Sequence, residues 1–271
     1  MSASGSSLGR YALNGAATLT LGFILMPLFF VTWLAFFRQE IPSFPPEGYS
    51  LRWFDAAIAN KSFREGFVLS TQVAVLSTLI GLLFGVPASL VLVRHRIPLG
   101  PGINTLLLLP LVMPGIVLGT SIYVFQIETE IATGWPLLGS LAGLVAAHSL
   151  VVLPWVVRLV TASLAGFDRS IEEAAQNLGA GPWTTFRRVT LPGIRPGIVA
   201  AALFGFVTSF GNLEMSLFLV GPGRITLPIA ILQYLEWKID PAVAAASLMQ
   251  IVLIAVAMIV TDRYVKLSRV V

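Results

Sequence analysis

Side chains able to do chemistry are scarce in this sequence, and the most concentrated group lies between Asp168 and Pro192: D-R-S-I-E-E-A-A-Q-N-L-G-A-G-P-W-T-T-F-R-R-V-T-L-P. Their types suit recognition rather than bond-making. Ser170 with Glu173 three residues later reads as a capping box. Glu172 and Glu173 suit a first turn, where the helix dipole favours negative charge. Ala174, Ala175, Gln176 and Leu178 propagate a helix, and Gly179 supplies a residue able to take positive φ beyond its end. Pro182 can open a second short helix with Arg187 and Arg188 in its last turn, and Pro192 is expected to mark the next boundary. The spacing thus predicts two short helices about a glycine elbow at Gly179–Ala180, a shape that fits a groove on a soluble partner.

A second, sparser set lies inside apolar sequence. Ser209 and Asn212 share a helical face, and Glu214 is the one acid that falls within an apolar run. A charge at depth costs about 2.5–3.5 kcal/mol on insertion scales, so Glu214 must face a cavity or a partner. Two readings stay open: Asn212 and Glu214 line a solute path with Ser209, or Glu214 pairs with Arg224 across Gly221-Pro222-Gly223. His148, Ser149 and Gln72 read as inter-helix hydrogen bonds.

Composition sets what positions these groups. Only 11% of the 271 residues are charged and the mean hydropathy is +0.86, which fits a polytopic helical membrane protein. With no cysteine and two histidines, disulfides, thiolate metal sites and multi-histidine sites are excluded. Six apolar segments of roughly 20 residues or more can span a bilayer. They run Ala12–Phe37, Phe67–Val93, Ile103–Phe125, Leu138–Leu164, Gly197–Val220 and Val243–Thr261. Pro87, Pro110, Pro114 and Pro154 interrupt them, for packing or to bend a pore-lining helix. Gly81 and Gly85 space small residues for close helix contact. Short helices are expected near Leu51–Ala59 and over Leu227–Trp237.

Arg10, Arg94, Arg96, Arg158, Arg169, Arg187, Arg188, Arg195, Arg263, Lys266 and Arg269 fall on the side of the N-terminus. Most acids fall on the other, with Glu40, Glu47, Asp55, Glu65, Glu128, Glu130, Glu236 and Asp240. The positive-inside rule then puts both termini and the loop 168–192 in the cytoplasm. The domain plan is a cytoplasmic tail 1–10, one transmembrane domain 11–265 that includes the loop 168–192, and a tail 266–271. The net charge of +4 reflects this bias, and no nucleic-acid partner is expected.

At Glu173-Ala174-Ala175, Gly179-Ala180, Leu191-Pro192 and Pro196 the loop resembles the E-A-A loop of ABC-importer permease subunits. Tyr49-Ser50-Leu51-Arg52-Trp53-Phe54, Ser209-Phe210, Gly221-Pro222-Gly223 and Thr226-Leu227-Pro228 resemble the spermidine/putrescine-type group, its C-type subunit more than its B-type. Gly211-Asn212 departs from the acidic pair frequent there. The resemblance implies an all-α permease fold of six transmembrane helices, the MetI-like fold of type I importers. It implies ATPase coupling through Ser170, Glu172, Glu173, Ala174, Ala175, Leu178, Gly179 and Ala180. The implied partners are an ATP-binding cassette dimer, a second permease from a different chain, a periplasmic binding protein and membrane lipid, in the bacterial inner membrane. No cofactor is expected in this chain; ATP and Mg belong to the ATPases, and no G-x-x-x-x-G-K-[ST] pattern occurs here. The implied cargo is a polyamine or related amino compound. The alternatives are ferric ion, an opine, a phosphonate or an aminobutyrate-like solute. An ion-coupled secondary transporter is the rival class; it would need internal repeats and mid-depth ionisable groups, of which one acid at most is present.

Overall fold

The computed structural model describes residues 7–95 and 98–265, so Arg96, Lys266, Arg269 and the end of the C-terminal tail lie outside the described residues, as does the side chain of Tyr264. The helices are α1 (Ser7–Leu34), α2 (Arg52–Ala59), α3 (Lys61–Arg94), α4 (Gly100–Leu108), α5 (Gly115–Thr133), α6 (Leu141–Ala165), α7 (Arg169–Asn177), α8 (Pro182–Thr185), α9 (Leu191–Phe210), α10 (Ser216–Leu219), α11 (Leu227–Trp237) and α12 (Ala242–Val265). Among the described residues five helical runs are long and apolar enough to cross a membrane. A sixth crossing exists if Gly100–Leu111 and Gly115–Thr133, bent by 100°, count as one broken span.

The chain separates into two compact units. One holds the residues up to Asn60 with Gln233–Val252; the other holds Lys61–Leu232 with the residues from Leu253 on. In the first, α1 leads into a buried aromatic corner. Trp53 donates its indole N–H to the Phe37 carbonyl at 2.7 Å, and the Arg52 guanidinium lies 4.4 Å from the Trp53 ring centre. Asp240 accepts from the Ala242 N–H at 3.0 Å and from the Tyr234 hydroxyl at 2.8 Å, which fixes the turn into α12.

In the second unit α3, α6 and α9 pack on one another. Small residues make this approach possible: a Cβ at Gly81 would come 2.6 Å from Val152, and one at Gly85 2.6 Å from Val156. Ser77 and Ser89 of α3 donate to the Val145 and Val157 carbonyls of α6 at 3.2 and 3.3 Å. Val152, Val156, Val160, Leu164, Ile194 and Ala201 form one buried cluster of this bundle.

The structure revises several boundaries. Pro87 and Pro154 lie inside unbroken helices, whereas Pro110 and Pro114 do coincide with the bend before α5. The fifth span does not run from Gly197 to Val220. It is helical from Pro182 to Phe210 and stops there. Pro192 marks no boundary, because a five-residue π-turn, Phe186–Thr190, carries the helix across it. The Leu191 N–H donates to the Phe186 carbonyl, five residues back, and Pro192 follows as the second residue of α9 without ending the run.

Candidate functional site

The loop between α6 and α9 is two helices about an elbow, but its cap differs from the expected one. The carboxylate that caps α7 is Asp168, which accepts the Ser170 N–H at 2.9 Å from an extended backbone. Ser170 is therefore already inside the helix, and Ile171 rather than a glutamate occupies the third position, so the Ser170–Glu173 box does not form. The Ser170 N–H and then its hydroxyl hold the Asp168 carboxyl below the usual carboxylate range.

The exit from α7 is a Schellman turn. Ala180 donates to the Ala175 carbonyl at 3.1 Å and Gly179 to that of Gln176 at 2.9 Å, with Gly179 at φ 88°. That conformation needs glycine. The elbow leaves apolar side chains uncovered by this chain: Leu178 is 90% exposed, Trp183 70% and Ile171 49%.

The adjacent glutamates face different ways. Glu173 is exposed and pairs loosely with Arg169 at 3.5 Å, with both side chains more than 60% accessible. Such a pair contributes about 0–1 kcal/mol and exchanges readily for another cation. Glu172 is largely buried. Its Oε1 accepts from Arg94 at the end of α3 at 3.1 Å and from the Thr190 hydroxyl on the π-turn at 2.7 Å. The sequence reading grouped Glu172 with the residues offered to a partner; in the structure its carboxylate is turned onto the bundle. Ser170, Glu173 and Ala174 are exposed, while Ala175 and Ala180 are half-covered.

The second set of polar residues sits where two interrupted spans meet. α9 ends at Phe210, and Asn212 caps the next turn by accepting the Met215 N–H at 3.1 Å. His148 of α6 bridges the break. One ring nitrogen lies 2.8 Å from the Ser209 hydroxyl and the other 3.2 Å from that of Ser216. Ser209 is thus buried inside a helix contact rather than open to a path. Ser149 bonds within its own helix, to the Val145 carbonyl at 2.7 Å. Gln72 lies with Thr71 along an otherwise apolar groove of about 610 Å³ bordered by Phe67, Val68, Val75, Leu76 and Leu141.

Glu214 is exposed and lies against Gly115, the first residue of α5 beyond the 100° bend. It forms no ion pair with Arg224, whose backbone closes a tight turn onto Gly221 instead. The bend and the break therefore meet: a Cβ at Gly119 would come 3.0 Å from the Met215 Cα. His148 makes the inter-helix hydrogen bond expected of it, to Ser209; what the sequence missed is this meeting and the second contact, to Ser216, by which His148 clamps it. The prolines announced the bend, and the Gly211-Asn212 pair was the available signal for the break.

A model of the binding-protein-dependent transport system inner membrane component family matches residues 77–269. The putrescine transport system permease PotI of Escherichia coli K12 is 31% identical over 201 residues, covering 74% of this chain and 72% of that protein. PotC of the same strain, a spermidine/putrescine transport system permease, is 28% identical over 256 residues and 94% of each chain. ModB of Mycobacterium bovis, a molybdenum transport system permease, is 35% identical over 211 residues, 74% of this chain and 79% of that one. A bacterial alginate ABC transporter solved with its pentasaccharide-bound periplasmic protein superposes with a TM-score of 0.71 at 16% identity, covering 94% of this chain and 92% of that one. The MetNI methionine transporter gives 0.62 at 21% identity, covering 77% and 96%. These likenesses agree with the helical permease fold, and the chain belongs to the family of binding-protein-dependent transport system inner membrane components.

Proposed function

We propose that this permease carries a small organic cation of the polyamine or amino-compound class inward across the bacterial inner membrane. A periplasmic binding protein delivers the solute, a second permease completes the path, and a pair of ATP-binding cassette subunits binds ATP and Mg. Both termini and the loop 168–192 face the cytoplasm, as the distribution of arginines favours.

One observation carries the reading. The loop presents uncovered apolar side chains, Ile171 on the short amphipathic helix α7, Leu178 at its end and Trp183 beyond the elbow on α8, and the cap and elbow of α7 are internally satisfied. A preformed helix with an exposed apolar face at the end of a membrane bundle is built to be gripped by a soluble subunit. Ser170, Glu173, Ala174, Ala175, Leu178, Gly179 and Ala180 supply that contact; Glu173 can leave Arg169 for a cation on the partner. Closure of the ATPases around nucleotide moves the loop, and the spans joined to it change access from one side to the other.

Cargo class rests on the junction of the interrupted spans. Glu214 offers an exposed carboxylate there, beside the half-covered Asn212, and this favours a cation. The relative named for molybdenum transport makes an oxyanion the competing cargo. The test is uptake into vesicles holding the complete transporter, with its binding protein outside and ATP inside. Labelled putrescine is expected to accumulate and molybdate is not. Accumulation of molybdate alone would replace the cargo, and ATP-independent accumulation would replace the class.

A further inference from the structure

We infer that Glu172 is a positioning residue that locks the coupling loop to the bundle, so that α7, the end of α3 and the start of α9 move as one body. The inference rests on the importer reading. Its basis is the convergence of three elements on a single carboxylate oxygen. Arg94 reaches it from the last turn of α3 at 3.1 Å, and Thr190 reaches it from the π-turn that begins the α9 run at 2.7 Å. Glu172 itself stands on α7.

The joint is shielded. The Arg94 and Glu172 side chains are only 17% and 12% exposed, against 65% and 62% for the neighbouring Arg169–Glu173 pair. Glu172 is the carboxylate paired with this guanidinium, through a terminal nitrogen, while the buried Arg94 Nε has no hydrogen-bond partner among the described residues. Removing either member of such a shielded pair leaves an uncompensated charge, a larger loss than breaking a solvated pair. The π-turn matters as well. Its extra residue sets the rotation of the helix at Thr190, where the hydroxyl bonds to Glu172. Two adjacent glutamates thus divide the work: Glu173 faces outward to the partner, and Glu172 faces inward and transmits.

The chain contains no cysteine, so spin labels can be placed without altering a native background. Gln176→Cys on α7 and Val91→Cys on α3 are both exposed and lie outside the joint. The pair is labelled in the full transporter, and the distance is measured without nucleotide and with ATP trapped. The joint requires one narrow distance that changes by less than about 2 Å between states, the scale of a small helix shift. Glu172→Gln, which keeps an acceptor for Thr190 and drops the charge, should broaden that distance and lower solute moved per ATP hydrolysed about tenfold. Arg94→Lys, which keeps the charge, should retain the narrow distance and more than half of the coupling. A wild-type distance that shifts by more than this between states, or a Glu172→Gln distance as narrow as wild type, overturns the proposal. Failure of the wild-type transporter to couple ATP to uptake would instead strike the importer reading, which the label distances do not depend on.

Discussion

A helix break at a glycine stands in opposite surroundings at Gly179 and at Gly211. At Gly179 the break is solvated and its neighbours Leu178 and Trp183 are uncovered. At Gly211 the break is clamped by a buried histidine that touches Ser209 on one side and Ser216 on the other. One break is shaped to be held by another molecule, and the other is held by its own chain. Lesions at the two should therefore separate: the buried break shows in stability, the solvated one in coupling.

The largest effect is expected at the buried break. His148→Leu removes both ring contacts and leaves the Ser209 hydroxyl buried without its partner. The cost should be about 1–3 kcal/mol, read as a lower thermal midpoint of the detergent-solubilised chain. The ratio of uptake to ATP hydrolysed by the molecules that remain folded should not change. Next is Gly179→Val at the solvated break, where an L-residue in the left-handed region costs about 1–2 kcal/mol. The thermal midpoint should hardly move, because the elbow is outside the packed bundle, but uptake should fall with ATP hydrolysis less affected. If Gly179→Val instead unfolds the chain and His148→Leu instead uncouples it, the division between the two breaks is wrong.

Glu214→Gln sharpens the comparison further. An exposed ion pair contributes at most about 1 kcal/mol, so the half-saturating concentration of a cationic solute at the permease should rise by up to about fivefold. An unchanged value removes Glu214 from the path.

The smallest effect concerns the Asp168 cap. Its carboxyl is held below its ordinary value of 3.8 in the folded chain. A group depressed by folding contributes stability above its unfolded value, and that contribution is lost as pH falls through the folded one. Amide exchange at the start of α7 should therefore quicken only on the acid side of pH 3.8. Asp168→Asn, which keeps an acceptor but does not titrate, should lack that step.

Much of the fold was legible because bilayer thickness imposes a length on apolar runs. Four of the six expected spans are single helical runs, the fifth is shifted to Pro182–Phe210, and the third is the pair bent at Pro110 and Pro114. The helices near Leu51 and at Leu227–Trp237 also stand where residue pattern put them. The loop was legible as a helix–elbow–helix because Gly179 and the alanines act locally. Its details were not. Ser170 and Asp168 are both good caps, and only the extended backbone at Asp168 decides between them. The π-turn that carries the helix past Pro192 depends on packing at Thr185 and Thr190, both buried, and no local preference announces it. The opposite orientations of Glu172 and Glu173 depend on Arg94, which is 78 residues away in the chain. Ser209 looked like a path residue because its burial by His148 is a contact between helices that spacing along one helix does not reveal.

The central claim is that the solvated elbow is the handle by which a nucleotide-hydrolysing subunit grips this permease. A photocross-linking side chain in place of Leu178, with a control in place of the exposed Trp135, tests it in the assembled transporter. The account predicts that light joins position 178 to the ATPase subunit, in a yield that changes when ATP is trapped, and that position 135 gives no such product. A transporter that pumps while position 178 joins only lipid, or in which position 135 is the one that captures the ATPase, would contradict it.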